Sequence, residues 1–228
     1  MGEGDRLSPR PAALTTEEAK RLAHIPDGVL SFPVLVTGAV VAVGAVAVGL
    51  RRLDEQQIPR VAILAAAFFA LSLFSIPIGP SGVHLMLGGM MGLILGLSVF
   101  PAVAAALLLQ AVMFGFGGLT SLGVNVVNIA LPAAMVGGAL APAVARATPA
   151  RAAFLGGAGA ALSALGTGLM VSASLYLSSS DFAASSRFVA FSYAPLIIVE
   201  ALVTGFCVSF VKRVKPELLA ARAKRLTI

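Results

Sequence analysis

The strongest constraint in this sequence of 228 residues is a long stretch without charge. No Asp, Glu, Lys or Arg occurs between Arg60 and Arg146, and His84 is the one strongly ionisable side chain there. Water cannot surround such a stretch, so a soluble fold is excluded. Gly is abundant, Trp is absent and 58% of the residues are hydrophobic. This composition favours close-packed helices over an aromatic-rich β-barrel and predicts an all-α, polytopic membrane protein.

Seven apolar runs are candidates for membrane spans, since a span needs ~20 apolar residues, or fewer where it is short or broken. The third and fourth are short and are joined only by Gly96-Leu97-Ser98, which predicts either a tight helical hairpin or a partly re-entrant segment. The seven predicted spans are residues 33–50, 61–77, 84–97, 100–114, 124–145, 152–177 and 188–211.

The basic residues predict the orientation, because Lys and Arg accumulate in cytoplasmic segments. Seven spans place the termini on opposite sides of the membrane, and an outside N-terminus puts most of the basic residues inside. We therefore predict three regions: a polar extension (1–22), a membrane domain (23–211) and a basic cytoplasmic tail (212–228). The net charge of +6 then indicates cytoplasmic loops rather than nucleic-acid binding. The inner basic residues are Arg51, Arg52, Arg60, Arg146, Arg151, Lys212, Arg213, Lys215, Arg222, Lys224 and Arg225.

The two histidines of the chain, His24 and His84, are the first candidates for a functional site. Each lies beside a Gly/Pro turn, and the predicted topology places both on the outer face. A hydrogen-bonded helix-end residue is the simpler interpretation of either one alone. Two on one face favour a metal site, because imidazole suits Zn, Cu, Fe and Ni.

Other polar residues of the apolar region have both functional and structural interpretations. Glu200 lies in an apolar run, and a carboxylate at membrane depth should face the bundle interior and be paired, hydrogen-bonded or neutral. Asn125 and Asn128, at i and i+3, point the same way and are either donors near a site or contacts between helices. Ser81 and His84 would serve as nucleophile and base in a membrane enzyme, although no orienting acid is evident nearby.

Four ordered segments of the chain form a recognisable pattern. They are HIPDG (24–28), IGPSGVHL (78–85), FGFGGLTSLGVNVVN (114–128), and IVEALVT (198–204) with VKRVKPELL (211–219). Together they resemble the CbiM/NikM family, the cobalt- and nickel-specific substrate-capture (S) components of energy-coupling factor (ECF) transporters. The resemblance covers residues 23 to about 219. It implies a seven-helix protein with an outside N-terminus that imports Ni(II) or Co(II) and is not an enzyme.

The resemblance also implies partners in a prokaryotic plasma membrane. These are a transmembrane coupling (T) subunit, cytoplasmic ABC-type ATPases and, often, a small accessory membrane protein. The chain has no Walker A motif, as expected if the ATPases are separate subunits. Two alternatives stay open: a membrane enzyme that uses Ser81, His84 or Glu200, and a degenerate S-like subunit for another small solute.

The metal site implied by the resemblance maps onto Ala23, His24 and His84. In the family the ligands are the free amine of a starting Met, the backbone nitrogen and imidazole Nδ1 of the next His, and the imidazole of the second His. Here Ala23 replaces that Met and 22 residues precede it. A free amine on Ala23 therefore requires either translation from Leu22 as Met followed by removal of that Met, or proteolysis after Leu22. Because these nitrogens must lose protons, affinity should fall in acid.

Further departures from the family pattern lie around the implied site. Phe116 and Tyr193 stand at or near positions where relatives carry polar residues. If the extension is retained, we expect weaker binding through His24, His84 and Asp27, or a changed substrate. The residues expected to surround the ligands are Asp27, Ser81, Asn125, Asn128 and Glu200.

Overall fold

A computed structural model describes residues 24–78, 81–179 and 183–219, with backbone alone for 75–78, 81–83 and 183–192. Five apolar segments of the described chain are long enough to cross a membrane, which confirms the polytopic helical class. The predicted extension (1–22), Ala23 and residues 220–228 of the tail lie outside the described residues. The elements are α1 Phe32–Arg51, α2 Ile58–Ser72, β1 Ser75–Ile78, β2 Ser81–His84, α3 Gly88–Leu95, a 3-10 turn Gly96–Ser98, α4 Val99–Phe114, α5 Leu122–Arg146, α6 Pro149–Ser178 and α7 Ala183–Val214.

The second predicted span is wrong at its C-terminal end. Helix α2 ends at Ser72, five residues before Pro77, and the chain continues as β1. Pro77 has no backbone N–H and disfavours helical geometry in the residue before it, so it opposes extension of α2. The 15-residue helix is about 22 Å long, which is less than the ~30 Å of a bilayer core.

The third predicted span is wrong at its N-terminal end, because His84 belongs to a strand. Strands β1 and β2 pair antiparallel, with Ser75 opposite His84 and Ile78 opposite Ser81. Helix α3 begins only at Gly88. The hairpin is the one exception to the all-α prediction among the described residues, and it places the histidine on non-helical backbone.

The junction of α3 and α4 is a helical hairpin, one of the two predicted arrangements. Gly96 has φ +63° and ψ −128°, which ends α3 and starts the 3-10 turn. Ser98 Oγ lies 3.4 Å from the carbonyl oxygen of Gly49, near the end of α1. Helix α3 therefore runs toward that end of the bundle and α4 returns from it, while both arms pack against α5.

Basic residues gather at one end of the bundle, opposite both histidines. The C-terminal ends of α1, α5 and α7 and the starts of α2 and α6 meet there, and Lys212 Nζ donates a hydrogen bond to the carbonyl of Ala145. The predicted orientation places this end in the cytoplasm. The described basic residues of this end are Arg51, Arg52, Arg60, Arg146, Arg151, Lys212, Arg213 and Lys215.

Small residues allow the helices to approach closely, as the abundance of glycine predicted. A Cβ on Gly92 would lie 1.9 Å from the carbonyl oxygen of Ala133, and one on Gly89 would lie 2.4 Å from Cα of Ala160. Helix α3 is thereby pressed against α5 and α6. Because lipid is as apolar as these side chains, such packing contacts are a main source of association between helices.

We expect Gly92→Ala to destabilise the bundle, because its Cβ would overlap backbone that cannot move aside. Overpacking of this kind costs about 1–3 kcal/mol. Gly44→Ala is the matched control, since a Cβ at Gly44 has nothing within 4 Å and alanine has the higher helix propensity. Thermal unfolding in detergent should show a lower Tm for Gly92→Ala alone. Equal Tm values for both variants would contradict the packing described above.

Candidate metal centre

The two histidines meet at the outer end of the bundle. The Nε2 atoms of His24 and His84 are 3.1 Å apart, and their ring centroids are 4.9 Å apart at an interplanar angle of 68°. Their exposed fractions are 7% and 3%, so the bundle covers both rings. The predicted meeting of these residues, which are 60 positions apart in sequence, is thus present in the structure.

The hydrogen bonds determine which nitrogen of each neutral ring carries the proton. His84 Nδ1 lies 3.1 Å from the carbonyl oxygen of Leu85, which can only accept, so Nδ1 is the donor and Nε2 presents a lone pair. His24 Nε2 faces that lone pair and therefore carries a proton. Burial, reinforced by the neighbouring His84, lowers the pKa of His24 to about 3 against the opposing hydrogen bond to Gln110. His24 is therefore neutral at physiological pH.

The spacing of the two Nε2 atoms suits a shared metal ion. Nitrogens bound at about 2.0–2.1 Å, with an N–metal–N angle between a right angle and the tetrahedral angle, lie roughly 2.8–3.4 Å apart. The observed 3.1 Å lies inside that range. The facing atom of His24 is Nε2, whereas the chelate implied by the family resemblance uses Nδ1. No cluster of three or more His, Cys, Asp or Glu occurs in the described part of the chain.

Gln110 is a member of this site that the sequence analysis missed. Its Oε1 lies 2.9 Å from His24 Nε2, and its side chain is fully buried. Phe68, also fully buried, packs edge-on against His84 with centroids 5.8 Å apart. A signal for Gln110 was available, because it is the one strongly polar side chain of α4, and polar residues at membrane depth are functional candidates.

Asn125 holds the segment that carries His24. Its Oδ1 accepts from the Ile25 N–H at 3.2 Å and its Nδ2 donates to the Ile25 carbonyl at 3.0 Å. Ser121 Oγ donates to the same carbonyl at 2.6 Å. The backbone next to His24 therefore has the partners that a helix would otherwise supply, and Asn125 is one of them.

Asp27 ties the same segment to the loop between α4 and α5. Its carboxylate accepts the backbone N–H groups of Leu119, Thr120 and Ser121 at 2.9–3.1 Å. Partial burial acts to raise the pKa of Asp27, but hydrogen bonds from Thr120, Ser121 and Leu119 outweigh it and hold that pKa below its usual value. A Cβ on Gly118 would lie 1.9 Å from Oδ1 of Asp27, so this contact requires glycine. Asp27 is thus engaged with the loop backbone.

Glu200 holds the segment that carries His84. It is 1% exposed, and its Oε1 accepts from the backbone N–H of Met86 and, at 2.9 Å, from that of Leu87. Leu87 has φ +52°, a left-handed conformation that is unusual for a residue with a branched side chain. Burial and hydrogen bonding of Glu200 were both predicted, and its described contacts are with backbone N–H groups of the linker between β2 and α3.

The remaining predicted residues are less closely connected with the histidines. Asn128 accepts from Ser174 Oγ at 3.2 Å, which fits its alternative interpretation as a contact between helices. Tyr193 is buried against Gly168, and Phe116 stacks beside Phe114 with centroids 5.8 Å apart. The side chain of Ser81 and all of Ala23 lie outside the described residues.

Fold and site together define a multi-pass membrane protein that encloses two adjacent neutral imidazoles at its outer end. The family model for CbiM, described as the cobalt uptake substrate-specific transmembrane region, matches residues 24–218. The chain belongs to this family, as the resemblance implied.

Curated relatives carry names that refer to metal transport. A putative metal transport protein of Haemophilus influenzae is 52% identical over 110 residues, which cover 48% of this chain and 53% of that protein. A fused nickel transport protein NikMN of Rhodobacter capsulatus is 40% identical over 126 residues, which cover 51% of this chain and 35% of that protein. This chain thus spans about half, or less, of the length of these two relatives.

Two similar solved structures are described as a transition metal transporter and a truncated transition metal transporter. The first has a TM-score of 0.67 and 26% identity, covering 89% of this chain and 99% of that one. The second has a TM-score of 0.64 and 26% identity, covering 83% of this chain and 98% of that one. The likeness therefore extends over most of the bundle.

We expect Asp27→Ala to loosen the loop over the site, because the three backbone N–H groups of residues 119–121 lose their shared acceptor. Hydrogen bonds to an ionised carboxylate are among the stronger ones, so amide exchange there should be about tenfold faster. Hydrogen–deuterium exchange with mass spectrometry on the detergent-solubilised chain measures this. Asp54→Ala is the matched control, since Asp54 accepts from Gln57 N–H at the opposite end. Unchanged exchange at 119–121 in Asp27→Ala would contradict the assigned contact.

We expect Glu200→Gln to lower Tm and to leave the metal stoichiometry intact. A neutral amide oxygen accepts the two linker N–H groups less strongly than a carboxylate, at a cost of about 1 kcal/mol. Glu55→Gln is the control, because Glu55 is exposed at the basic end and should leave Tm unchanged. Thermal unfolding and calorimetric titration measure the two quantities. Unchanged Tm with lost binding would instead indicate that Glu200 belongs to the metal site itself.

Proposed function

We propose that this protein captures Ni(II) or Co(II) at its outer face and delivers it inward as the S component of an ECF transporter. The observation that carries the proposal is the 3.1 Å separation of two buried, neutral imidazole nitrogens, at the spacing of ligands to one ion. Membership of the CbiM family and the transport names of the relatives support the same function.

The location of the site supports capture from outside rather than catalysis. Both histidines lie at the end of the bundle opposite the basic residues, so they are on the outer side if the basic end is cytoplasmic. The enzyme alternative needs an acid beside His84, but the described partners of its ring nitrogens are His24 and the Leu85 carbonyl. Glu200 contacts Met86 and Leu87 instead. The alternative of a degenerate S-like subunit predicts no metal binding, so titration with Ni(II) and Co(II) distinguishes it from the proposed function.

The proposal includes partner proteins. A transmembrane coupling subunit and separate ABC-type ATPases would supply the energy, because import against a gradient requires it and this chain carries no Walker A motif. The relatives named as fused nickel transport proteins support an association with a further transport component, and we propose a small accessory membrane protein in that role. We propose Ala23 as an additional ligand through its backbone nitrogen where its amine is free.

We expect His24→Ala and His84→Ala each to abolish binding, because one imidazole alone leaves the ion without a second nitrogen ligand. Isothermal titration calorimetry with Ni(II) and Co(II) on the purified membrane protein measures affinity and stoichiometry. Asn128→Ala serves as the control, since it removes a buried polar group that contacts Ser174. Stoichiometric binding retained by either histidine variant would contradict a shared site.

A further inference from the structure

A groove runs along one side of α1 in the wall of the bundle that faces the membrane. Its volume is about 510 Å³. Its lining residues on α1 are largely exposed, so the groove opens sideways to lipid, while α4, α5 and the loop before α5 form its other side. The lining includes Ala39, Val43, Ala47 and Leu50 on α1, Ala104 on α4 and Val126 on α5.

The groove offers hydrocarbon and no free polar side chain to an occupant. Thr120, in the loop before α5, is the one lining residue with a polar side chain, and its hydroxyl donates to Oδ1 of Asp27. The backbone N–H groups of Leu119 and Thr120 donate to the same carboxylate. A polar ligand would lose its hydration here without gaining partners, so the part of a ligand that enters this groove must be apolar.

The dimensions of the groove suit a single extended hydrocarbon chain. From Ala39 to Leu50, α1 rises by about 16 Å, which is close to the hydrocarbon thickness of one leaflet, half of the ~30 Å bilayer core. Dividing the volume of about 510 Å³ by that length leaves a mean cross-section of roughly 30 Å², or a width of about 6 Å. A helix with its side chains is about 10–12 Å wide and cannot enter such a groove.

The two ends of the groove differ in charge. Arg51 follows Ala47 by four residues and therefore lies on the same side of α1, at the basic end of the bundle. Its side chain is exposed, and no ion pair of Arg51 occurs in the described part of the chain. Residues 51–60 carry three arginines against two carboxylates, whereas the carboxylate of Asp27 lies beside the other end of the groove. An anionic group is thus attracted to the Arg51 end alone.

We propose that the groove binds one acyl chain of an anionic phospholipid from the leaflet at the basic end, with the lipid phosphate beside Arg51. Lipid tails are as apolar as the lining, so the fit of the chain determines where the lipid lies but not which lipid is chosen. The choice of headgroup comes from Arg51. One arginine near an anionic surface corresponds to a preference of about fivefold.

The headgroup is tested by native mass spectrometry of the full-length chain released from nanodiscs that contain equal amounts of phosphatidylglycerol and phosphatidylcholine. We expect wild type to retain one phosphatidylglycerol molecule about fivefold in preference to phosphatidylcholine. Arg51→Gln should remove that preference. Arg151→Gln is the matched control, because Arg151 is an exposed arginine of the same end on α6 and should keep it.

The groove itself is tested by filling it. Ala47→Phe places a ring where the acyl chain would lie, so we expect at least about fivefold less retained phosphatidylglycerol. Val48→Phe is the matched control, since Val48 is exposed on α1 but does not line the groove. If Ala47→Phe does not fold, Ala104→Leu fills the groove from α4 and should give the same loss.

Equal retention of the two lipids by wild type, or an unchanged preference in Arg51→Gln, would overturn the inference. Wild-type retention of phosphatidylglycerol in the groove-filling variants would overturn it as well, because the lipid would then lie elsewhere. If those variants keep their lipid but no longer copurify with a coupling subunit, the groove belongs to a partner helix instead. All of these outcomes are independent of metal titration, so they leave the proposed function in place.

Discussion

The contact between two buried imidazoles constrains the whole outer half of the molecule. Polar rings among apolar helices are unfavourable unless their nitrogens find partners, and here each ring is a partner of the other. Both rings lie on non-helical backbone, whose N–H and C=O groups also need partners away from water. Asn125 supplies them beside His24, and Glu200 supplies them beyond His84. Two anchoring side chains thus make an irregular site compatible with a membrane bundle.

The two anchors connect the site to helix packing. The His24 segment is held by α5 through Asn125, and the linker after His84 is held by α7 through Glu200. Helix α6 packs extensively against both α5 and α7. One of its close contacts is between Gly157 and the carbonyl of Ala201. The distance between the imidazoles therefore depends on how α5 and α7 sit against α6. A shift of one helix would separate the two imidazoles, which would give helix movement a direct physical route to release of the ion that we propose they bind.

Hydropathy predicted most of the helices, because charged side chains are costly in lipid and spans are therefore apolar. The β-hairpin was not predicted, although Gly79, Pro80 and Gly82 mark a turn, because a run of four strand residues is too short for a reliable periodicity. Gln110 was missed for another reason: its contact with His24 joins residues 86 positions apart and depends on the closure of the bundle. By contrast, the pairing of His24 with His84 could be predicted, because turns fixed both to one membrane face.

The orientation of a single ring separates two different ligand sets. With Nε2 of His24 facing His84, the site offers two imidazole nitrogens and the oxygen of Gln110. A half-turn of that ring about its Cβ–Cγ bond would present Nδ1 instead. In the metal site implied by the family resemblance, Nδ1 closes chelate rings with the backbone nitrogen of His24 and a free amine on Ala23. The first set combines nitrogen with oxygen, whereas the second is all nitrogen and favours square-planar Ni(II) or Cu(II). If the proposed site includes a free amine on Ala23, Nδ1 of His24 becomes the better ligand, and processing of the chain and choice of metal would then be physically linked.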